Sequence, residues 1–333
     1  MDVIRESDLE LVDALQVNPR ASWSAIGAVL GVSALAAARR WRTLEERGIA
    51  WSGAVMGPAL FRGAFVELSC RPATSEDVVR QLAAMPDVLT VGRTTGDFDV
   101  YAITAAPSAS ALRASLWSGI DRLDVVRKRV HVYTRVHGGP DWRLTVLSRD
   151  QSEQIRETVP RAPKRSRADP DDRALFLALA ADARLSYADL SEHLGSPPHV
   201  IRRRLDRLRR HGQIAFRADI ARPLAGWPFA ALLHVSVPDE QLHTVGRYLG
   251  GLPETRFCAA VVGAANLILV MNIRAPDELE DLVARMRAAH PALTVTERAL
   301  VLQLTKVNGR LLDESGRSTG IVPVDPWITG PET

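Results

Sequence analysis

The side chains best suited to chemistry in this 333-residue sequence are arginines that recur at helical spacing. In one run Arg39, Arg40 and Arg42 follow Ser33 and Leu35; in a second, Arg202, Arg203, Arg204 and Arg207 follow Ser196 and His199. Projected on a helix at ~100° per residue, Leu35, Arg39 and Arg42 share a face opposite Ala37, Trp41 and Leu44. In the second run His199 and Arg203, flanked by Arg202 and Arg207, oppose Ile201, Leu205 and Leu208. A guanidinium on such a face presents a planar fork of donors that fits guanine O6 and N7 or clamps a phosphate. Arg40 and Arg204 project near the packing edge, which suits phosphate contact or helix support better than base reading. One basic helix face is as readily a solvated surface; the same face occurring twice favours nucleic acid.

A second candidate is the turn Gly96-Asp97-Phe98-Asp99, where Gly96, Asp97 and Asp99 could receive an ammonium group and backbone donors. Glycine and aspartate also suit a hairpin on geometry alone. Its counterpart, Gly263-Ala264-Ala265-Asn266, has neither carboxylate, so ligand binding is expected at the first turn only. His193, His199 and His211 lack the spacing of a zinc site, and there is no GxxxxGK[ST] loop or G-x-S-x-G elbow. The expectation is therefore no catalytic residue, no metal, no cofactor and no enzyme.

The elements that must position these residues occur twice. ELVDALQVNPRASWSAIGAVLGVSALAAARRWRTLEERG around Leu11 is echoed by ALFLALAADARLSYADLSEHLGSPPHVIRRRLDRLRRHG around Leu175, in a constant register of 175 − 11 = 164. A period of that length marks a duplicated domain, since solenoid units run to about 50 residues. Ser22 and Ser186 can cap a second helix, and Ser186 with Asp189 has the capping-box form. Gly31 and Gly195 permit the positive φ of a tight turn, and Ser33 and Ser196 can cap the third helix, with Pro197 at its first position.

After each helical unit the period changes to two. Ala64, Val66, Leu68 and Cys70 alternate with Phe65, Glu67 and Ser69. A helix, two strands about Gly96-Asp97, a further helix and a strand through Val130, Val132 and Val136 complete a ferredoxin-like βαββαβ order, which the second half repeats. Leu267-Ile268-Leu269-Val270-Met271 is apolar on both faces, so the open face of the sheet needs a cover. Another copy of the same sheet, within the chain or between chains, is the expected cover. The fold class is thus α+β: tandem winged-helix-type helix-turn-helix units, each followed by a ferredoxin-like domain. The expected bounds are 1–52, 60–137, a linker 138–168, 169–217, 226–306 and a flexible tail 307–333. Prolines and charge make Arg149–Asp172 read as exposed, with Gln151–Thr158 open to a short helix.

Composition sets the outer limits. The chain is 46% hydrophobic with net charge +3, and its two cysteines, Cys70 and Cys258, occupy non-equivalent positions. No disulfide framework, signal peptide or membrane span is expected, which fits a reducing cytoplasm. Among 42 basic residues only Lys128, Lys164 and Lys306 are lysine, a bias a GC-rich genome could also produce.

A helix-turn-helix followed by βαββαβ with a Gly-Asp-x-Asp turn resembles the Lrp/AsnC family of transcriptional regulators. The NPRAS stretch, the LGVS turn, RRWRTLEERG and TTGDFDVY carry the likeness, which covers about 130 residues of each half. The resemblance implies binding of double-stranded DNA, self-association through the sheets and an amino-acid-like effector. Two alternatives remain. Siroheme decarboxylases resemble the same architecture, but the positions aligned with their turn histidine are Gly96 and Gly263. A ligand-sensing scaffold that no longer binds DNA is the other, because Leu35, Ala36 and Ala38 make the first recognition face thin.

Overall fold

A computed structural model describes residues 4–57, 61–139, 142–158, 169–325 and 327. The first helical unit comprises α1 (Glu6–Val17), α2 (Trp23–Leu30) and α3 (Ala34–Glu46). Its apolar faces meet in a core of Leu11, Leu15, Ile26, Trp41 and Leu44. Ser22 accepts from the Ala25 amide and Ser33 from the Ala36 amide, each at 3.1 Å, and Gly31 turns the chain at φ 68°. These are the expected caps, and they work because a short hydroxyl reaches amides the helix leaves unsatisfied.

Next come β1 (Ala50–Met56), β2 (Arg62–Cys70), α4 (Ser75–Ala84), β3 (Val88–Thr94), β4 (Val100–Ala106), α5 (Ala109–Ala114) and β5 (Val125–Gly138). The short α6 (Arg149–Ile155) precedes the second helical unit, α7 (Arg173–Ala181), α8 (Tyr187–Leu194) and α9 (Pro198–Arg210). Ser186 and Asp189 form the expected capping box and Gly195 sits at φ 60°. Ser196 is not the cap of α9. Pro197 takes that place and Pro198 opens the helix, so ring-fixed φ values replace a side-chain hydrogen bond.

The chain continues through β6 (Ile214–Ile220), β7 (Phe229–Ser236), α10 (Leu242–Gly250), β8 (Thr255–Val261), β9 (Leu267–Ile273), α11 (Glu278–Ala289) and β10 (Thr294–Val307). Both sheets thus have the βαββαβ order. Their open faces cover each other, as expected, and their edges also join. The 14-residue β5 pairs first with β2 and then with β8, while β10 pairs with β7 and then with β3. The ring β10-β3-β4-β2-β5-β8-β9-β7 closes back on β10 as a barrel. Helices cover its outside. Phe65, Tyr101, Ile103, Leu232, Ile268 and Val270 fill its inside, which explains why β9 is apolar on both faces. Closure also removes the free edges that would otherwise pair with other chains.

The helical units carry no wing of their own, contrary to the winged-helix expectation. The strand after each third helix, β1 or β6, pairs antiparallel with its counterpart in the other half, Gly53 opposite Arg217. Arg20 donates to the Ala183 and Leu185 carbonyls and Arg184 to the Pro19 and Ala21 carbonyls, a reciprocal exchange about a pseudo-two-fold axis.

Two segments expected to be loose are built in. Trp142, Leu144, Leu147 and Ile155 lie in the first helical core, and buried Asp13 accepts from Arg143 and the Leu147 amide. Pro160 and Pro163 of the expected linker lie outside the described residues. The expected tail forms a hairpin, β11 (Arg310–Leu312) with β12 (Ser318–Ile321), and β11 extends the sheet from β10. Beyond it Asp325 pairs with Arg173, and Trp327 packs on Phe176. Residues 328–333 lie outside the described residues. The tail's gly-, pro- and ser-rich composition conceals these anchors because they are contacts with distant residues.

Candidate functional site

The arginines of the third helices divide into two groups. Arg39 and Arg42 of α3 and Arg202 and Arg203 of α9 are exposed, as are Ser33, Leu35 and His199. Leu35 is 78% exposed, an apolar side chain held out from a helix that has a full apolar face elsewhere. The other group supports the fold. Arg40 lies 3.6 Å from Asp8, and at the equivalent place Arg204 donates to buried Asp172 at 2.9 Å. Arg207 pairs with both Asp172 and Asp169, so the carboxylates ahead of α7 hold it against its own unit. The supporting role foreseen for Arg40 and Arg204 is visible, and Arg207 shares it. Ser196, half-buried, lies in the turn after Gly195.

The turn after β3 separates its two carboxylates. Gly96 adopts φ 93°; Asp97 is exposed; Phe98 is buried beneath Arg127 and Arg129, whose guanidinium carbons stand 4.5 and 4.6 Å from its ring centre. The Asp99 carboxylate accepts from the Cys70 amide at 2.7 Å, latching the turn to the end of β2. In the second half Asn266 accepts from the Val237 amide at 3.1 Å and donates to its carbonyl at 2.8 Å. The Asp99-to-Asn266 exchange therefore keeps a structural latch. Asp97, whose counterpart is Ala264, has no such task among the described hydrogen bonds.

Beside this turn lies a charged cluster that sequence reading passed over. Glu67 and His234 occupy equivalent places on β2 and β7, and meet at 3.1 Å between Glu67 Oε1 and His234 Nε2. Arg129 and Glu297 occupy equivalent places on β5 and β10, and pair at 2.6 and 2.7 Å. Arg129 Nε also donates to Glu67 Oε2 at 2.8 Å, and buried His131 stands 3.3 Å from that oxygen. Burial alone would raise the Glu67 carboxyl, but His131, His234 and Arg129 outweigh it and hold it well below its usual range. Glu67, His131 and His234 bring ligand atoms within 4.8 Å of one another, the donor set of a metal triad. Here the Arg129 guanidinium stands against both Glu67 and His234, so a side chain already supplies the cation. The signal in the sequence was that Glu67 shares the sheet face of Phe65, the face now turned into the barrel.

An AsnC-type helix-turn-helix family model matches residues 6–45 and again 169–209, and the Lrp/AsnC ligand binding domain matches residues 63–138. The protein is thus of the class that joins a helix-turn-helix to a barrel-forming βαββαβ module. The uncharacterized HTH-type transcriptional regulator y4tD of Sinorhizobium fredii is 31% identical over 121 residues, 35% of this chain and 72% of its own length. The HTH-type transcriptional regulator LrpC of Bacillus subtilis is 24% identical over 143 residues, 43% of this chain and 97% of its own length. The chain belongs to the Lrp/AsnC family of transcriptional regulators. Among solved structures, the siroheme decarboxylase NirDL in complex with an iron-uroporphyrin III analogue is similar along 91% of this chain and 93% of its own. The TM-score is 0.62 at 16% identity, a likeness of fold. It overturns the expectation that the chain is no enzyme, because the two-unit fold is one on which an enzyme is built. Among the described residues no helix is long and apolar enough to cross a membrane.

Proposed function

We propose that this chain is a sequence-specific DNA-binding regulator in which a single polypeptide supplies both halves of the family's dimer. The observation that carries the reading is the division of the arginines. Arg39, Arg42, Arg202 and Arg203 face solvent, while Arg40, Arg204 and Arg207 are held by carboxylates of their own units. Exposed guanidinium groups on the helix after a glycine turn suit major-groove readout. The antiparallel β1–β6 pair and the Arg20/Arg184 exchange fix one helical unit against the other, as two half-sites on one duplex require. Ser33, Leu35, Ser196 and His199 complete the proposed contact surface. In this reading the second ligand module has diverged beyond its family model, and an amino-acid-like effector binds at Gly96-Asp97-Phe98-Asp99. Selection of bound duplexes from random DNA, with and without pooled amino acids, tests the proposal. A recovered palindrome-like site with half-sites about one helical turn apart supports it. Recovery of no sequence preference at moderate salt contradicts it.

A second reading is favoured by one observation, the likeness to siroheme decarboxylase NirDL along nearly the whole chain. In that reading the chain acts on a polycarboxylated tetrapyrrole. Mixing the purified protein with siroheme and following tetrapyrrole absorbance and loss of carboxylate tests it: turnover supports an enzyme, and an unchanged spectrum and unaltered siroheme contradict it.

A further inference from the structure

The barrel end that faces the helical units holds a cavity of about 110 Å³. Its walls are mainly apolar and aromatic, with Tyr101, Ile103, Phe257 and Val270 from the barrel and Met56 and Phe176 from the helical layer. Three arginines also line it: Arg217, Arg222 and Arg256. All three are largely or fully buried; the Arg256 side chain is 5% exposed and that of Arg217 11%.

Their charges are not balanced. Asp219 accepts from Arg217 at 2.6 Å and from Arg256 at 3.1 Å, and Arg222 reaches only the neutral Asn272 oxygen at 3.4 Å. Three guanidinium groups therefore share one carboxylate. Burial and mutual repulsion push Arg256 and Arg222 below the ordinary arginine range. Arg217 Nε and Arg256 Nε and Nη1 are buried without a hydrogen-bond partner. A buried donor left unmade costs about 1–3 kcal/mol, and more when charged. Arg256 is also held against Trp142, 4.1 Å from its ring centre, so the guanidinium is fixed before any ligand arrives.

What the site lacks is an acceptor. Every unpartnered group named here is a donor, and among the described residues no acidic side chain lines the cavity. An ammonium group would meet two excess positive charges and no carboxylate. We propose that this cavity binds a small monocarboxylic acid with a short apolar body and no amino group, such as propanoate, with its carboxylate on Arg256 and Arg217. The size limits the occupant: a cavity of about 150 Å³ admits benzene, so this smaller one admits an acid of about five non-hydrogen atoms. The site differs from the Gly96–Asp99 turn in both place and charge preference. Arg217 and Asp219 lie on β6, which follows α9 directly, so occupancy would act on the strand joining the two helical units. This inference stands whether or not the chain binds DNA.

The test uses the full chain in thermal melts and calorimetric titrations with propanoate, acetate, glycine, propan-1-ol and inorganic phosphate. Both acids are expected to raise the melting temperature saturably and to titrate at one per chain; glycine, the alcohol and phosphate are expected to do neither. Arg217→Gln and Arg256→Met should each weaken acid binding at least tenfold. If Arg256→Met fails to fold, Arg217→Gln, at the less buried position, decides. Glycine or phosphate binding as tightly as the acids, no response to either acid, or unchanged affinity in Arg217→Gln would overturn the proposal.

Discussion

Arginines of one chemical type do three different jobs in this chain, and burial with pairing separates them. Arg203 faces solvent without a described partner, whereas its neighbour Arg204 is bonded to buried Asp172. Arg203→Ala is expected to weaken binding to a selected duplex by about 1–3 kcal/mol with little change in stability. Arg204→Ala should do the reverse in a denaturant titration, since it strips a partner from a fully buried carboxylate. Fluorescence anisotropy at one fixed salt concentration, beside urea unfolding, separates the two outcomes. A buried amine gives a pH signature. Lys306 is fully buried with its Nζ 2.7 Å from the Met85 carbonyl, and burial lowers its ammonium to about 7 from an unfolded value near 10.5. Between those two values the unfolded chain binds the extra proton, so stability should rise with pH across that window. Below pH 7 the folded state carries the full cost of a buried charge. Lys306→Met is therefore expected to stabilise the protein at pH 6 by a few kcal/mol and to lose that advantage above about pH 10. A gain that is equal at both pH values contradicts the assignment.

At the scale of elements, much was legible from local rules. A serine three residues before an amide, a glycine after an apolar turn and a change of period from about 3.6 to two each act over a few residues. Ser22, Ser33, Gly31, Gly195 and the βαββαβ order could therefore be read directly. One misreading is local: Ser196 gave way to Pro197 because the helix begins one residue later than its serine suggested. The others lie where a distant partner decides. The winged-helix expectation fails because β1 and β6 pair with each other across 164 residues of chain. The last strands looked like a tail because composition does not reveal that the Ser318 amide donates to the Gly48 carbonyl or that Asp325 pairs with Arg173. Gly48, at φ 64°, has the Ser318 carbonyl 2.4 Å from where a Cβ would lie, so the hairpin sits directly on the end of the first helical unit. Deleting residues 310–333 is expected to lower stability by roughly 2–4 kcal/mol, in the range of lost buried contacts. A thermal midpoint unchanged by that truncation would show the hairpin to be a passive covering.

For the whole molecule, the consequence of placing two halves of like element order in one chain is that residues on the pseudo-two-fold axis need not be alike. In a symmetric dimer a residue on the axis meets its own copy. Here Glu67 meets His234, Arg129 meets Glu297 and Gly53 meets Arg217. Two copies of the first half would set carboxylate against carboxylate inside a closed barrel and guanidinium against guanidinium where the second pair is partly exposed. The two halves have thus become complementary partners. Glu67→His or His234→Glu alone is expected to cost about 2–4 kcal/mol in chemical denaturation, because each leaves like groups buried together. The double exchange should recover at least half of that loss. If the singles and the double are equally destabilised, the pairing across the axis does not set the match. The match of Glu67 with His234 was open to the sequence, since its offset of 167 is the one that sets Gly96 against Gly263, whereas Arg129 and Glu297 stand one residue off that register at 168; that equivalent residues meet each other was not visible, because it depends on how the two halves close.

The central claim is that one chain presents two DNA-reading helices at a fixed separation. The most direct measurement is binding of the purified chain to its selected duplex at constant salt, with stoichiometry, for the parent and for Arg39→Ala combined with Arg203→Ala. The account predicts one chain per duplex, protection of two half-sites about one helical turn apart, and a loss of sequence preference in the double variant while weak salt-dependent binding persists. Parent and double variant binding the duplex with the same affinity and the same preference would contradict it.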